Sequence, residues 1–155
     1  MTKPIPEGYE GATPYLIVND GDGAIDFYKK AFGATELMRF AEPGGKIGHA
    51  ELKIGQALVM LADEYPDMGI RGPRAYGGTP VKISLFVPDV DAFAKKAVAA
   101  GAKLIQPLQD QFYGDRSGTL LDPFGHKWTI ATHKEDLSLE EVRKRASAMA
   151  AQKAV

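Results

Sequence analysis

The chain contains no cysteine, and its 19 lysines and arginines are balanced by 20 aspartates and glutamates. Without cysteine there is no disulfide framework, no thiolate metal site and no cysteine nucleophile. The balanced charge lacks the basic excess of nucleic-acid-binding proteins, so we expect no nucleic-acid partner. The sequence also lacks the long apolar run of a membrane span and the shorter one of a signal peptide. We therefore expect a cytoplasmic protein with no membrane partner.

What is present is enough apolar material for one ordinary domain. The 155 residues are 45% hydrophobic and 25% charged, which is the composition of a globular protein. A chain of this length buries about 70% of the surface that its unfolded form exposes, so it needs no disulfide or metal to fold. We expect a single domain over residues 1–155.

The first half of the chain predicts one strand, one helix and three more strands. An apolar run at 14–18 predicts the first strand. Residues 23–32 show the helical period, with Asp22 available as N-cap and Gly33 placed to end the helix. Three strands then follow in this first module, which spans about residues 12–62: 35–41, 46–54 and 57–61.

The same βαβββ order returns about 69 residues later. Between the two copies lies a connector, residues 63–79, which is rich in Gly and Pro and shows no period. The second module, about 80–135, predicts a strand at 81–87, a helix at 90–100 and strands at 103–107, 118–121 and 127–132. A repeat of this length predicts an α+β fold of two pseudo-symmetric βαβββ modules, each with one helix covering one face of a sheet. A capping box at Ser138–Glu141 predicts a C-terminal helix over 139–151.

Several motifs in this order resemble the glyoxalase / bleomycin-resistance / extradiol-dioxygenase superfamily, also called vicinal oxygen chelate proteins. The resemblance runs from about Thr13 to His133 and is strongest to a bacterial glyoxalase-like subgroup. It implies that the two modules form a curved mixed sheet around a cavity. The motifs that carry it are Ile25-Asp26-Phe27-Tyr28, His49-Ala50-Glu51-Leu52, Val87-Pro88-Asp89, Phe112-Tyr113-Gly114-Asp115-Arg116-Ser117-Gly118 and Asp122-Pro123-Phe124-Gly125-His126.

The resemblance also implies where a metal would bind, and the residues there argue against one. In metal-using members the ligands come from the first and last strands of each module. Here those positions hold Thr13, Lys82, Val59 or Met60, and Thr129. None is a histidine, cysteine or carboxylate, which zinc, nickel and iron sites require. We therefore expect no tightly bound metal and no cofactor.

His49 and Glu51 are the candidate catalytic residues. They lie two apart on a predicted strand and so share the face opposite Ala50 and Leu52. A hydrogen-bonded histidine–carboxylate pair can bind a ligand or move a proton. The same alternation is typical of an exposed polar strand face, and the residues alone leave both interpretations open.

Further residues are candidates for substrate binding. Lys82 and Ser84 share the predicted cavity face of their strand, where Lys82 suits either an anionic ligand or an ion pair with Glu51. Tyr113 and Arg116 lie in a predicted loop, where Arg116 suits either a carboxylate or phosphate ligand or a structural ion pair. The possible cavity aromatics are Tyr15, Tyr28, Phe86, Phe112 and Tyr113.

These features favour a protein that binds a small, possibly aromatic molecule, such as an antibiotic, without a tightly bound metal. The alternative is a glyoxalase-like lyase or isomerase that uses His49 and Glu51 as acid and base or as a weak metal site. A third possibility is a purely regulatory or assembly module, in which the protein's own side chains fill the cavity. Because such modules leave sheet edges and a concave face uncovered, and superfamily members commonly pair, we expect a homodimer.

Overall fold

The computed structural model describes residues 1–154, so Val155, the last residue of the predicted domain, lies outside the described residues. The first module contains β1 (Tyr15–Val18), α1 (Gly21–Phe32), β2 (Thr35–Ala41), β3 (Ile47–Ile54) and β4 (Ala57–Asp63). The second contains β5 (Lys82–Phe86), α2 (Val90–Ala99), β6 (Lys103–Asp110), β7 (Asp115–Leu121) and β8 (Lys127–His133). A third helix, α3 (Leu139–Lys153), follows. The predicted βαβββ order is confirmed in both modules.

Each module forms its own four-stranded mixed sheet. The strand orders are β1-β4-β3-β2 and β5-β8-β7-β6, which are equivalent positions in the two halves. In both sheets the first strand runs parallel to the last, and the remaining pairs are antiparallel. The two sheets and their helices form an α+β fold of two equivalent modules, as the sequence repeat and the resemblance predicted.

Helix α1 begins earlier than predicted because Asp20, not Asp22, is its N-cap. The Asp20 carboxylate accepts a hydrogen bond from the Gly23 N–H at 3.0 Å, and the backbone of Asp20 is extended. Asp22 lies in the first turn instead, where it pairs with Arg39. Gly33 ends the helix with a φ of 65°, in the left-handed conformation that the sequence predicted.

Helix α1 joins the two modules through one hydrophobic core. Phe32 stacks on Phe93 of α2, with ring centroids 5.2 Å apart, and meets Trp128 of β8 at 4.9 Å. The Asp122 carboxylate, which is buried, accepts hydrogen bonds from Tyr28 Oη at 2.5 Å and Trp128 Nε1 at 3.0 Å. The interpretation of Tyr28 as a cavity aromatic was therefore wrong, since its ring is completely buried between the modules.

The helices cover one face of each sheet and leave the other face open. The side chains of Tyr15, His49 and Glu51 lie on the open face of the first sheet, opposite the buried Ala50 and Leu52. Large apolar side chains at or beside the open faces are exposed, with 64% exposure at Phe40 and 61% at Phe86. These faces are therefore the surfaces available for a ligand or a second subunit.

Helix α3 lies at the edge of this structure. Ser138 caps it as predicted, since its hydroxyl oxygen accepts a hydrogen bond from the Glu141 N–H at 3.1 Å. Arg145 ties the helix to the preceding segment through an ion pair to Glu135, and it also pairs with Glu141 one turn earlier in the helix. The helix has no buried residue. Within residues 1–154 no helix combines the length and the apolar character that crossing a membrane requires.

Candidate functional site

A chain of four hydrogen-bonded side chains crosses the open face of the first sheet. Tyr15 Oη lies 2.7 Å from His49 Nδ1, and His49 Nε2 lies 3.2 Å from Glu51 Oε1. Tyr9 Oη donates to Glu51 Oε2 at 2.5 Å. Strand β3 presents His49 and Glu51 on one face because they are two residues apart. Strand β1 lies on the other side of β4 from β3 and presents Tyr15 on the same face.

The direction of the hydrogen bonds in this chain follows from the ionisation of Glu51. The hydrogen bonds from Tyr9 and then from His49 lower the pKa of Glu51, so it is a carboxylate at neutral pH and can only accept. Nε2 of His49 must then carry the proton that it shares with Glu51. With Nε2 as the donor, Nδ1 of His49 accepts the hydrogen bond that the Tyr15 hydroxyl donates. Glu51 therefore orients the ring of His49, and His49 in turn orients the Tyr15 hydroxyl.

Tyr9 is a site residue that the sequence did not indicate. It belongs to the segment before β1, which folds back over the sheet: a β-carbon at Gly8 would come within 3.0 Å of Leu58 Cδ1. The segment has neither a helical nor a strand period, so no pattern could assign Tyr9 to the Glu51 side of the sheet.

Beside this chain the first module holds a cavity of about 620 Å³. Its floor comes from Tyr15, Ile17 and Ala62 of β1 and β4, and Tyr15 is the member of the hydrogen-bonded chain that reaches it. His49 and Glu51 lie next to the cavity and not on its wall. The other lining residues come from the β2–β3 hairpin and the connector: Glu42, Gly48, Tyr65, Met68, Gly69, Ile70, Arg71 and Tyr76.

The connector is an ordered wall of this cavity. It forms two short 3₁₀ turns, Pro66–Met68 and Pro73–Tyr76. The backbones of Tyr65 and Ile70 exchange two hydrogen bonds, of 2.9 and 3.1 Å. Turns held by such local bonds leave no repeating apolar pattern in the sequence. The sequence therefore indicated a connector but not its part in the cavity.

The second module has a smaller cavity, of about 380 Å³, on its own open face. Lys82 and Tyr113 line it together with polar residues of β6 and β7. Lys82 Nζ lies 3.4 Å from Gln106 Oε1, which also accepts from Thr119 Oγ1 at 2.6 Å. Ser84 lies on the same face as Lys82, beside Thr129. The structure thus brings Lys82 and Tyr113 together, while the ion pair between Lys82 and Glu51 does not form.

Arg116 lies apart from both cavities. Its guanidinium makes two hydrogen bonds to the Asp91 carboxylate at 2.8 and 2.9 Å and a third to Asp110 at 3.3 Å. The bonds from Arg116 lower the pKa of Asp91. Arg116 is a strand residue paired with Thr132, since β7 begins three residues earlier than predicted. In the structure it ties β7 to helix α2.

The positions that bind metal in the metal-using proteins of the resembling superfamily hold Thr13, Val59 or Met60, Lys82 and Thr129 in this chain. Met60 pairs with Glu51 on the neighbouring strand and shares its open face, whereas Val59 is buried at 2% exposure, so Met60 is the residue at the last-strand position of this face. A thioether, two threonine hydroxyls and the Lys82 ammonium are not a donor set for a divalent cation. Within residues 1–154 no three His, Cys, Asp or Glu side chains are grouped to hold a metal.

The chain belongs to the Glyoxalase/Bleomycin resistance protein/Dioxygenase superfamily, whose family model matches residues 12–130. An uncharacterised protein of Mycobacterium tuberculosis is 46% identical over 134 residues, which are 84% of this chain and 79% of that protein. This membership confirms the resemblance to that superfamily.

Solved structures show the same fold. TioX from Micromonospora sp. ML1 is 32% identical and superposes with a TM-score of 0.62, covering 79% of this chain and 99% of its own. A bleomycin resistance determinant encoded on the transposon Tn5 is 20% identical with a TM-score of 0.59, covering 81% and 99% of the two chains. At that identity the second likeness concerns the fold alone.

Proposed function

We propose that this protein binds a small planar aromatic molecule in the cavity of the first module, without a tightly bound metal. The observation that carries the proposal is the mainly apolar cavity of about 620 Å³. Cavities of roughly 300–1,000 Å³ with a few polar groups are typical of small-molecule sites. Tyr15, Tyr65 and Tyr76 supply ring surfaces against which a planar molecule can pack.

The biological role that we propose is sequestration of such a molecule, for example an antibiotic. Membership of a superfamily that includes bleomycin resistance proteins supports this role. The side chains at the superfamily's metal positions support binding by packing and hydrogen bonds, since Met60, Lys82 and the threonines offer no suitable ligands.

Filling the cavity floor tests the proposal. Ala62 is 5% exposed and lines the floor, so Ala62→Leu projects a larger side chain into the cavity. Binding of naphthalene probes, followed by their fluorescence, is expected to be saturable in the wild type and lost in Ala62→Leu. Ala57→Leu, at an exposed position of the same strand, is the matched control and should bind normally. The proposal fails if no probe binds the wild type or if both variants bind equally.

A second candidate function is a glyoxalase-like lyase or isomerase. The chain Tyr15–His49–Glu51 favours it, because a histidine that a carboxylate orients can take up a proton through the Tyr15 hydroxyl that reaches the cavity. This function predicts exchange of solvent deuterium into the carbon beside the carbonyl of a methylglyoxal–glutathione hemithioacetal. Exchange that persists unchanged in His49→Gln would contradict it.

We also propose that the protein is a homodimer. Both sheets leave one face open, and Phe40 and Phe86 at these faces are exposed at 64% and 61%. Within one chain the Lys82 and Tyr113 cavity shares no lining residue with the cavity of the first module, although Tyr15 and Lys82 together line a third cavity of about 470 Å³. A second copy allows Lys82, Ser84 and Tyr113 of one subunit to face the first module of the other. Light scattering should give twice the 16.7 kDa chain mass, and a monomer at millimolar concentration would refute the dimer.

A further inference from the structure

The cavity that Tyr15 and Lys82 share lies in the seam between the two modules, and we call it the seam cavity. Its volume is about 470 Å³. Strands β1 and β5 are edge strands, so each sheet presents a free edge at this seam. Residues 12–16, in and before β1, and residues 81–83, in and before β5, line the cavity together with Lys127 of β8.

The seam cavity has an unbalanced positive charge. Its lining contains Lys82 and Lys127 but no aspartate or glutamate. The two lysines occupy directly opposite positions in the parallel pairing of β5 with β8, so their side chains leave the sheet on the same face. Like charges that face each other across neighbouring strands repel. Within residues 1–154 neither lysine forms an ion pair, so an anion between them would offset a repulsion that the protein leaves uncompensated.

The cavity also has hydrogen-bond donors that the fold does not use. Among the described residues, Lys82 Nζ makes one hydrogen bond, at 3.4 Å to Gln106 Oε1, which leaves two of its three protons free. The Met60 N–H donates to the Pro14 carbonyl at 2.9 Å, so the backbone of Pro14 faces β4. Backbone groups of successive strand residues point to opposite sides, so the Tyr15 N–H faces the free edge. Two ammonium groups and an edge N–H suit the oxygens of a carboxylate or a phosphate.

Much of the remaining lining is apolar. Pro14, Leu16, Val81 and Ile83 contribute to it, and Val81 is 62% exposed. An inorganic anion would leave these side chains in contact with water, whereas a ligand with an apolar body would cover them. The lining therefore matches an anionic group joined to an apolar body.

We infer that the seam cavity is a second binding site, which takes an organic oxyanion with a short apolar body and holds its charged group between Lys82 and Lys127. The carboxylates and the phosphate monoesters are the two sources of this chemistry. The inference goes beyond the proposed function, because the cavity of the first module shares only Tyr15 with the seam cavity.

Three aliphatic probes test the inference without an aromatic ring. Hexanoate carries a carboxylate, hexyl phosphate carries a phosphate monoester, and hexanamide is the neutral control. NMR titration follows the methyl groups of Ile83 in the seam cavity, and of Ile17 and Ile70 in the cavity of the first module. At least one anion should shift Ile83 saturably and bind about tenfold more tightly than hexanamide, as expected for a hydrogen bond between charged groups. The tighter of the two anions identifies the source of the charge.

Two variants should remove the preference for the anion. Lys82→Gln and Lys127→Gln should each weaken binding of the tighter anion about fivefold and leave binding of hexanamide unchanged. Neither variant should melt at a lower temperature than the wild type, since each removes a repulsion. The anion should raise the melting temperature of the wild type more than that of either variant. Lys95→Gln, at an exposed position of α2, is the matched control and should bind as the wild type does.

Three results would overturn the inference. They are equal binding of hexanamide and both anions, shifts that are larger at Ile17 and Ile70 than at Ile83, and an anion affinity that both lysine variants keep. None of these results would affect the proposed aromatic site, which is tested separately by Ala62→Leu.

Discussion

The open face of the first sheet carries Tyr15, His49 and Glu51 beside a mainly apolar cavity, whereas the equivalent face of the second carries Lys82 and Thr119 beside a polar one. The helix-facing sides of the two sheets are alike, since both are packed with apolar residues in one core. Packing against a helix restricts which residues fit, while an open face is free to differ. The difference between the modules therefore points to the open faces as the functional surfaces.

The largest loss of stability is expected from a change in the core that the two modules share. Asp122→Ala removes a buried carboxylate that accepts from Tyr28 and Trp128 and from the backbone N–H groups of Phe124 and His126. Leaving these donors unpaired should lower the free energy of unfolding by about 4 kcal/mol or more. Urea unfolding measures this, with Asp26→Ala on the exposed side of α1 as the control. A loss no larger than that of the control would show that the modules are held together elsewhere.

The open faces should respond unequally to loss of charge. Glu51→Gln should weaken binding of an aromatic ligand about tenfold, because the residue loses the charge that strengthens its hydrogen bonds to His49 and Tyr9. Lys82→Gln should have a smaller effect, since Lys82 lines the cavity of the second module and does not line that of the first. Titration calorimetry measures both affinities. A larger effect of Lys82→Gln would reverse the proposed roles of the two faces.

A smaller effect is expected when the hydrogen bond from Tyr9 of the N-terminal segment to Glu51 is removed. The second sheet has no equivalent of this contact among the hydrogen bonds described above. Tyr9→Phe removes the strongest cause of the lowered pKa of Glu51, so this pKa should rise towards its usual value. Since Glu51 stabilises the fold above its unfolded pKa of 4.5, the variant should lose some stability at neutral pH. Carboxyl-carbon NMR titration measures the pKa, with Tyr113→Phe as the control. An unchanged Glu51 pKa would mean that Tyr9 does not hold the carboxylate in solution.

The smallest effect belongs to the end of the second sheet. His133 lies 2.7 Å from the Asp115 carboxylate and 2.9 Å from that of Asp136, and these hydrogen bonds raise its pKa above 6.5. Its stabilising contribution is therefore full below pH 6.5 and is lost as the pH rises through the raised value. His133→Asn should flatten the pH dependence of the melting temperature in this range. If the melting temperature of His133→Asn depended on pH as steeply as that of the wild type, the ion pairs of His133 would not be the cause of this pH dependence.

The sequence predicted the order of the elements because apolar periods and turn residues repeat in both modules. It also placed His49 and Glu51 on one face, since alternation in a strand is a local property. It could not place Tyr9 or Tyr65, which reach the site through aperiodic segments whose path depends on contacts with distant strands. The interpretation of Tyr28 failed for a related reason. The apolar pattern of a helix shows which residues lie on its buried face, but it is the same whether that face meets a cavity or a second module.

The most direct test of the account is an NMR titration of isoleucine methyl groups with 2-naphthol. Ile17 and Ile70 line the cavity of the first module, while Ile105 lies in β6 of the second. The account predicts that the largest shifts occur at Ile17 and Ile70 and that they disappear in Ala62→Leu. Shifts that are largest at Ile105, or that persist unchanged in Ala62→Leu, would contradict it.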